Sequence, residues 1–532
     1  MNFTFARPET MIPRTTLAVI LLLAGLLPLG SACRRDLQLP PGLLVMAVEK
    51  APKSLDPRIG NDAVAARLHQ MLFNTLVNKN EKLETVPEVA DFEISPDAKV
   101  FTFKIRPGFV FHNGKPLKAE DVKYTFDTLR AKEFVSPKKG DFAKVQAIDT
   151  PDDRTVIFRC SAPNAPLLGS LVAVGIIPKD SGPTTEKNPI GTGPWKLHEY
   201  REGNDITLDA NPNYNLGAPK LKQVKVRFVL DNATRELEVR QGGVHLALNA
   251  DFAYPTLQQM GKSKGLKLLQ AKGTNIAYLG LNCEDPVLKN VKVRQAISVG
   301  IDREKIIRTV LRGMARPANG PLPPEQWARP EDLPPARYDA AEAKRLLDEA
   351  GFPDPDGDGP LPRAIKLELK TSSNQLSRQV GTVLQEQMKL IGINLALRSY
   401  EFQTFLQDTI SGNFQMFYLI NVGANQSTDF LSYFYESTRI PTAAKSFSEG
   451  ANRARYRNPD VDKWLNQAAE TLDRNEQKRL YGLVQKQVVN DVPQVFLWYP
   501  NNVGIASDRV DNVSLELAGG YFFLKDVTLR DQ

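Results

Sequence analysis

The chain is poor in the residues that build metal centres and covalent cross-links. It holds three cysteines and four histidines in 532 residues. The histidines, His69, His112, His198 and His245, are scattered and form no HxxxH pattern, and there is no CxxC pair, so a zinc site has no support. Beyond the amino-terminal apolar run only Cys160 and Cys283 remain. Both sit in strand-like apolar surroundings, and burial as small hydrophobes is expected of them rather than pairing. Long hydrophobic runs are missing as well. The stretch from Leu167 to Ile177 lies between Pro166 and Pro178 and is far short of the roughly 20 residues of a membrane helix. No Walker loop and no dinucleotide fingerprint occurs. The net charge of +7 is spread over a long chain without a basic stripe, which argues against a nucleic-acid partner.

Two fragments of catalytic or metal motifs are present, and both fail on context. Gly261 to Gly265 reads GKSKG and matches GxSxG, but LQQM precedes it where a nucleophile elbow needs a buried strand. Ser263 is therefore expected in an exposed loop, and a secreted hydrolase using it is the reading with least behind it. Asp354 to Gly359 begins like a calcium loop, yet the twelfth position is Ile365 instead of a bidentate glutamate. A solvated turn is expected there. No catalytic residue, metal or cofactor is assigned.

What is present is an ordinary globular composition, 42% apolar and 24% charged. At this length a single core, which stops growing near about 250–300 residues, is not enough, so two or more lobes are expected. Strand-like and helix-like segments alternate throughout, which argues for an α/β fold. In VFTFKIRPGFVFHNGKPLKAEDVKYTF (100–126), Phe101, Phe103 and Ile105 alternate with polar residues as in a half-buried strand. Asn113-Gly114 signals a tight turn, and Ala119-Glu120-Asp121 opens a helix with acids in its first turn. His112, beside the turn, is expected at the surface. The amino terminus has a basic residue, Arg14, followed by LAVILLLAGLLPLGSAC. That is the layout of an export signal. Gly30, Ser31 and Ala32 before Cys33 resemble a bacterial lipoprotein cleavage site, with Gly30 in the slot where leucine is usual. The resemblance implies lipidation of Cys33; the alternative is an ordinary secretory signal cleaved nearby. Met11 would serve as an alternative start.

Several stretches together resemble the extracellular solute-binding proteins of family 5, the peptide/nickel class of ABC transporters. They are SLDP (54–57), the 100–126 stretch, NPIGTGPWKL with NPNY, VKVRQAISVGIDREKI, YDAAEAKRLLDEAGF, YRNPDVDKWL and NDVPQVFLWY, in the family's order. The resemblance implies a three-lobed periplasmic-binding-protein-like fold (type II, large peptide-binding class) with a hinge between lobes. Residues 1–32 would be the signal peptide and 33–42 a tether. Lobe I would comprise 43–60, 186–281 and 494–532, lobe II the insertion 61–185, and lobe III 282–493. It further implies a binding protein without enzymatic activity, monomeric and lipid-anchored in the cell envelope. Such a protein captures small peptides or peptide-like solutes for an ABC permease. The same fold with a nickel complex, haem or oligosaccharide as solute, or serving as an envelope sensor, is the alternative.

Glu49 and Lys50 after the first strand, and Lys370, Ser372 and Asn374 after a later one, are the implied cleft residues. So are Asn421, Asn425 and Asp429 in INVGANQSTDFLSYFY (420–435). Val422 stands where peptide binders of the family carry tryptophan, and Asn425 where an aspartate pairs with the peptide amine. An asparagine supplies no countercharge, so Asp429 is the acid left for that duty.

Overall fold

The computed structural model describes residues 40–248, 252–357, 361–422, 427–442 and 450–530. In chain order the strands are β1 (Leu43–Val48), β2 (Val77–Lys79), β3 (Thr85–Pro87), β4 (Ala90–Ile94), β5 (Val100–Ile105), β6 (Val145–Asp152), β7 (Thr155–Cys160), β8 (Trp195–Arg201), β9 (Asp205–Ala210) and β10 (Gln223–Phe228). They continue with β11 (Leu246–Leu248), β12 (Leu266–Ala271), β13 (Ile276–Leu281), β14 (Ala315–Pro317), β15 (Lys366–Ser372), β16 (Asn394–Tyr400), β17 (Met416–Asn421), β18 (Gln494–Pro500), β19 (Asn502–Ser507), β20 (Val510–Asp511) and β21 (Thr528–Leu529). Three large sheets result, plus the short hairpin β2-β3 and the pair β20-β21.

The seven-stranded sheet runs β12-β19-β11-β1-β10-β9-β8. β1 lies at its centre, parallel to β10 and β11. Its sequence LLVMAV is apolar throughout because both faces are covered. Leu44, Met46 and Val48 enter one core, while Val45 and Ala47 enter another.

The four-stranded antiparallel sheet β4-β5-β7-β6 belongs to the inserted segment. Phe101, Phe103 and Ile105 of β5 point into its core against Val122, Phe126 and Leu129 of helix Ala119–Arg130. The Asp121 carboxylate closes that helix's first turn by accepting from the Lys118 N–H (2.8 Å), and it also accepts from the Lys179 N–H (2.8 Å).

His112 is not a surface residue, contrary to the expectation from its turn. Its ring is partly buried, Nδ1 accepts the Gly191 N–H at 3.2 Å, and Nε2 sits 3.1 Å from the Gly193 carbonyl. The histidine thus clamps the Gly191-Thr192-Gly193 loop. A Cβ on Gly191 would lie 2.0 Å from the Leu72 carbonyl oxygen, and one on Gly193 2.6 Å from the Leu72 carbonyl carbon. Close backbone approach to the end of helix Ala63–Leu72 is what the glycines permit.

The six-stranded sheet runs β14-β18-β13-β17-β15-β16. Helices Val291–Val299, Arg303–Thr309, Ala340–Glu349 and Gln375–Leu390 contribute to one large core on it. This sheet corrects the expected lobe limits at 281 and 494. β13 and β18 hydrogen-bond here and not in the first sheet. The apolar run QVFLWYPNNVGIA is two strands in two sheets, parted at Asn501, and apolarity alone does not mark such a bend. The chain crosses between sheets at 272–275 and again at 501. The two crossings are neighbours, since Ala271 pairs with Asn502 on one side and Ala277 with Trp498 on the other. Gly273 packs so closely that a Cβ would meet the Pro500 carbonyl oxygen at 2.4 Å.

Cys160 is buried and Cys283 partly buried, and both are free thiols. Ser263 follows helix Tyr254–Gly261 and precedes β12, the reverse of the strand-then-helix order of a nucleophile elbow. Its hydroxyl is 3.2 Å from both the Gln259 carbonyl and Arg240 Nη1. In the acidic turn the Asp356 carboxylate accepts from the Leu361 N–H, and residues 358–360 lie outside the described ones.

Two predictions follow from these contacts. Gly191→Ala forces a methyl onto a backbone carbonyl and is expected to cost about 1–3 kcal/mol, read as a fall in the denaturant midpoint. The second concerns acid. Burial pulls the pKa of His69 down to about 3 and those of His112 and His245 to about 4. His245 Nδ1 accepts the Val45 N–H at 3.1 Å, a bond that a proton would abolish. The unfolded chain therefore takes up protons first, and stability falls as pH drops from about 6.5 towards 4. His245→Asn keeps an acceptor that does not titrate. Urea unfolding at pH 7 and pH 5 should show a smaller loss for this variant than for the wild type, and equal losses would refute the assignment.

Candidate functional site

The inserted segment is fastened to β1 by a buried ion pair. Arg58 grips Asp56 through two bonds, Nε to Oδ1 at 3.0 Å and Nη2 to Oδ2 at 2.6 Å. It also reaches Thr128 Oγ1 (2.8 Å) and the Gly182 carbonyl (3.1 Å), and lies 4.6 Å from the Phe134 ring centre. Ser54 bonds Glu186. Lys138 Nζ donates to the carbonyls of Pro57 (2.6 Å) and Ala173 (2.8 Å). Burial lowers its pKa to about 8 against the pull of Asp56 and Asp141. The SLDP stretch is thus a structural knot, with its polar atoms already committed.

From this knot the 3-10 turn Lys139–Phe142 carries Asp141 towards the six-stranded sheet's partners. Burial raises the Asp141 pKa, while Arg439 and Lys138 oppose the rise. Tyr433 lies in the fields of both Asp141 and Arg453. The inserted segment and the six-stranded sheet also touch directly. The Ala165 N–H donates to the Ala469 carbonyl at 3.2 Å, and Arg474 reaches Glu84 at 3.9 Å while lying over the Trp327 ring. Near this contact a groove of about 700 Å³ is lined by Pro96, Glu470, Asp473 and Glu476 among others.

The residues implied from sequence fall into three places. Glu49 follows β1, with Oε2 buried and without a hydrogen-bond partner; Lys50 is exposed. Glu49 acts electrostatically on Tyr521, as does Arg67, whose Nε donates to the Gly519 carbonyl (3.0 Å). Lys370, Ser372 and Asn374 form a second group, and all three have structural partners. Lys370 Nζ bonds Asp408 Oδ2 (2.8 Å) and the Asn413 carbonyl (2.6 Å), and lies 5.2 Å from the Tyr400 ring centre. Asn374 caps helix Gln375–Leu390 by accepting the Ser377 N–H, and its amide donates to Ser372 Oγ at 2.6 Å.

Asn421 ends β17, in the third place. Lys370 is in register with Phe417, so Asn421 is about 13 Å further along the strand. Asp429 begins helix Asp429–Tyr435. Asn425 and Cys33 lie outside the described residues. The reading from sequence did not include Arg67, Asp141, Tyr278, Tyr433, Arg453 or Tyr521. Of these only Tyr433 stands in a stretch that the sequence singled out, INVGANQSTDFLSYFY; the others lie away from any motif that would have drawn attention to them. Among the described residues no group of three or more His, Cys, Asp or Glu could hold a metal ion, and no helix is long and apolar enough to cross a membrane.

Residues 84–442 match the profile of the bacterial extracellular solute-binding proteins, family 5 (middle). The chain belongs to that family. The oligopeptide-binding protein AppA of Bacillus subtilis is 27% identical over 482 residues, 87% of each chain. Heme-binding protein A of Haemophilus influenzae is 27% identical over 497 residues, again 87% of each. The structure of AppA with a nonapeptide superposes with a TM-score of 0.74 at 25% identity, covering 92% of this chain and 99% of that one. The structure of NikZ from Campylobacter jejuni with Ni(L-His) gives a TM-score of 0.77 at 23% identity, covering 92% and 100%.

The Ala165–Ala469 bond joins the inserted segment to helix Pro459–Glu470 and would be lost if the two moved apart. Hydrogen exchange at the Ala165 amide should therefore slow when a bound solute holds the cleft shut. An unchanged rate with and without solute would mean that the lobes do not part at this contact.

Proposed function

We propose that this chain is the substrate-binding component of an ABC importer that captures peptides or peptide-like solutes between its lobes and delivers them to a membrane permease. The observation that carries the reading is the family match over residues 84–442 joined to two sheets linked by neighbouring crossings, an arrangement suited to hinge closure. The mechanism is capture without chemistry. Lobe I is formed around the seven-stranded sheet, lobe II by the insertion, and lobe III around the six-stranded sheet. Glu49, Lys50, Lys370, Ser372, Asn374, Asn421, Asn425 and Asp429 are the cleft candidates, and the committed bonds of Lys370 and Asn374 make those two the more structural members. Lipid on Cys33 would hold the monomer to a membrane of the cell envelope.

A non-peptide solute is the second reading. It is favoured by Val422 and Asn425 standing where peptide binders carry tryptophan and aspartate, and by the haem and nickel relatives. Native mass spectrometry of the fragment beginning after Cys33, purified without denaturation, separates the two. A heterogeneous set of short peptides is expected. A single non-peptide mass would overturn peptide capture. Cys33→Ala should release the protein from the membrane fraction, and unchanged partitioning would overturn the lipid anchor.

A further inference from the structure

We propose that Arg67 and the Tyr521 hydroxyl form a subsite for a carboxylate of the bound solute. The inference rests on the importer reading and narrows its substrate class. Arg67 lies in the second turn of helix Ala63–Leu72, and Tyr521 closes the loop 516–521 that packs on that helix. Three contacts join the two elements. Arg67 Nε donates to the Gly519 carbonyl at 3.0 Å, Gln70 Oε1 accepts the Tyr521 N–H at 3.0 Å, and the Arg67 guanidinium carbon is 5.5 Å from the Tyr521 ring centre. Arg67 is 9% exposed and Tyr521 1%. Arg67 Nη1 and the Tyr521 hydroxyl are both buried without a well-formed hydrogen bond. Among the described residues the Gly519 carbonyl is the one acceptor that the guanidinium holds, and no carboxylate pairs with it.

The chemistry of the pair is one-sided. A guanidinium has only donors, and a protonated phenol has a proton to give. Burial raises the Tyr521 pKa and the Arg67 charge opposes the rise, so the hydroxyl stays protonated at neutral pH. Buried donors that lack acceptors are costly, and an incoming oxygen would remove the cost. The full charge of Arg67 selects an anion over a neutral carbonyl, and its planar fork suits a carboxylate. Two acids nearby limit the charge of that anion. Glu516 Oε2 stands against Gly520, where a Cβ would meet it at 2.3 Å, and Glu49 at the end of β1 acts on Tyr521. A single negative charge is tolerated beside them, whereas a phosphate dianion is repelled.

The surroundings place the pair on the solute side. Helix Ala63–Leu72 starts beside the carboxyl end of β1, where its N-cap Asp62 accepts the Lys53 N–H at 2.8 Å. β1 is parallel to both its neighbours, β10 and β11, and open α/β sheets bind ligands outside the carboxyl ends of such strands. On its other side the loop is tied to the crossing between the sheets. Asn502 Nδ2 donates to the carbonyls of Glu516 (2.8 Å) and Leu517 (3.0 Å). Val64, Leu68, Met71 and Tyr521 share one core with β1, which holds the helix and the ring still.

The test uses the chain from after Cys33, stripped of bound solute, and two panels of compounds followed by calorimetry. One panel is a tripeptide library with free or amidated carboxyl termini. The other is a set of N-acetyl amino acids and their amides. Free acids are expected to bind about tenfold or more tighter than amides, and Tyr521→Phe or Arg67→Gln to erase that preference while amide binding stays unchanged. Tyr521→Phe preserves shape and removes an unsatisfied hydroxyl, so without solute its urea midpoint is expected to equal or exceed that of the wild type. A lowered midpoint would show the hydroxyl bonded within the protein and overturn the subsite. Acid preference that survives both substitutions, or equal binding of acid and amide peptides, would overturn the subsite and leave peptide capture standing. Binding of acetylated acids without any peptide, lost in Tyr521→Phe, would support the subsite and overturn peptide capture. No binding by any compound of either panel would overturn both.

Discussion

Everything in this molecule hangs on the chain crossing between two sheets twice at one place. The segments 272–275 and 501 run side by side, with β12 and β19 paired below and β13 and β18 paired above. Close packing of Gly273 on the Pro500 carbonyl leaves no room for a side chain. Two short antiparallel links restrain twisting and sliding but yield to bending, because extended residues at the ends of strands absorb changes in φ and ψ without losing ladder bonds. The central strands of the large sheets on either side, such as β1 and β13, are buried on both faces.

The inserted lobe is attached differently. Its link to β1 is a buried, bidentate Asp56–Arg58 pair surrounded by Thr128, Gly182 and Phe134, with Lys138 and the His112-clamped glycine loop nearby. Removing either partner of such a pair would strand a charge in a dry environment, a penalty of about 3–5 kcal/mol. With strong attachment on this side and short extended links on the other, the proposed hinge would bend at the crossings. The Ala165–Ala469 and Glu84–Arg474 contacts join the inserted segment to the helices beside the six-stranded sheet.

Much of the architecture was legible in the sequence because burial writes itself as periodicity. β5 alternates, β1 is apolar on both faces, and helices such as Gln375–Leu390 carry polar caps. The misplaced lobe limits came from a run that is apolar on either side of Pro500-Asn501, where hydropathy carries no information about which sheet a strand joins. His112 was misjudged because its partners, Gly191 and Gly193, are some eighty residues away. The site was the least legible part. Lys370 and Asn374 are polar residues near a strand end, as ligand contacts often are, yet one neutralises Asp408 and the other caps a helix.

The paired crossings have a consequence for selectivity. Two antiparallel links that bend together leave essentially one angular degree of freedom, so closure is measured by an angle and not by a fixed pocket volume. A larger solute is met by stopping earlier on the same arc, with the chemistry of the floor unchanged and only the reach of the opposing lobe altered. Chemical discrimination and size tolerance are thereby assigned to different parts of the chain and are free to vary independently.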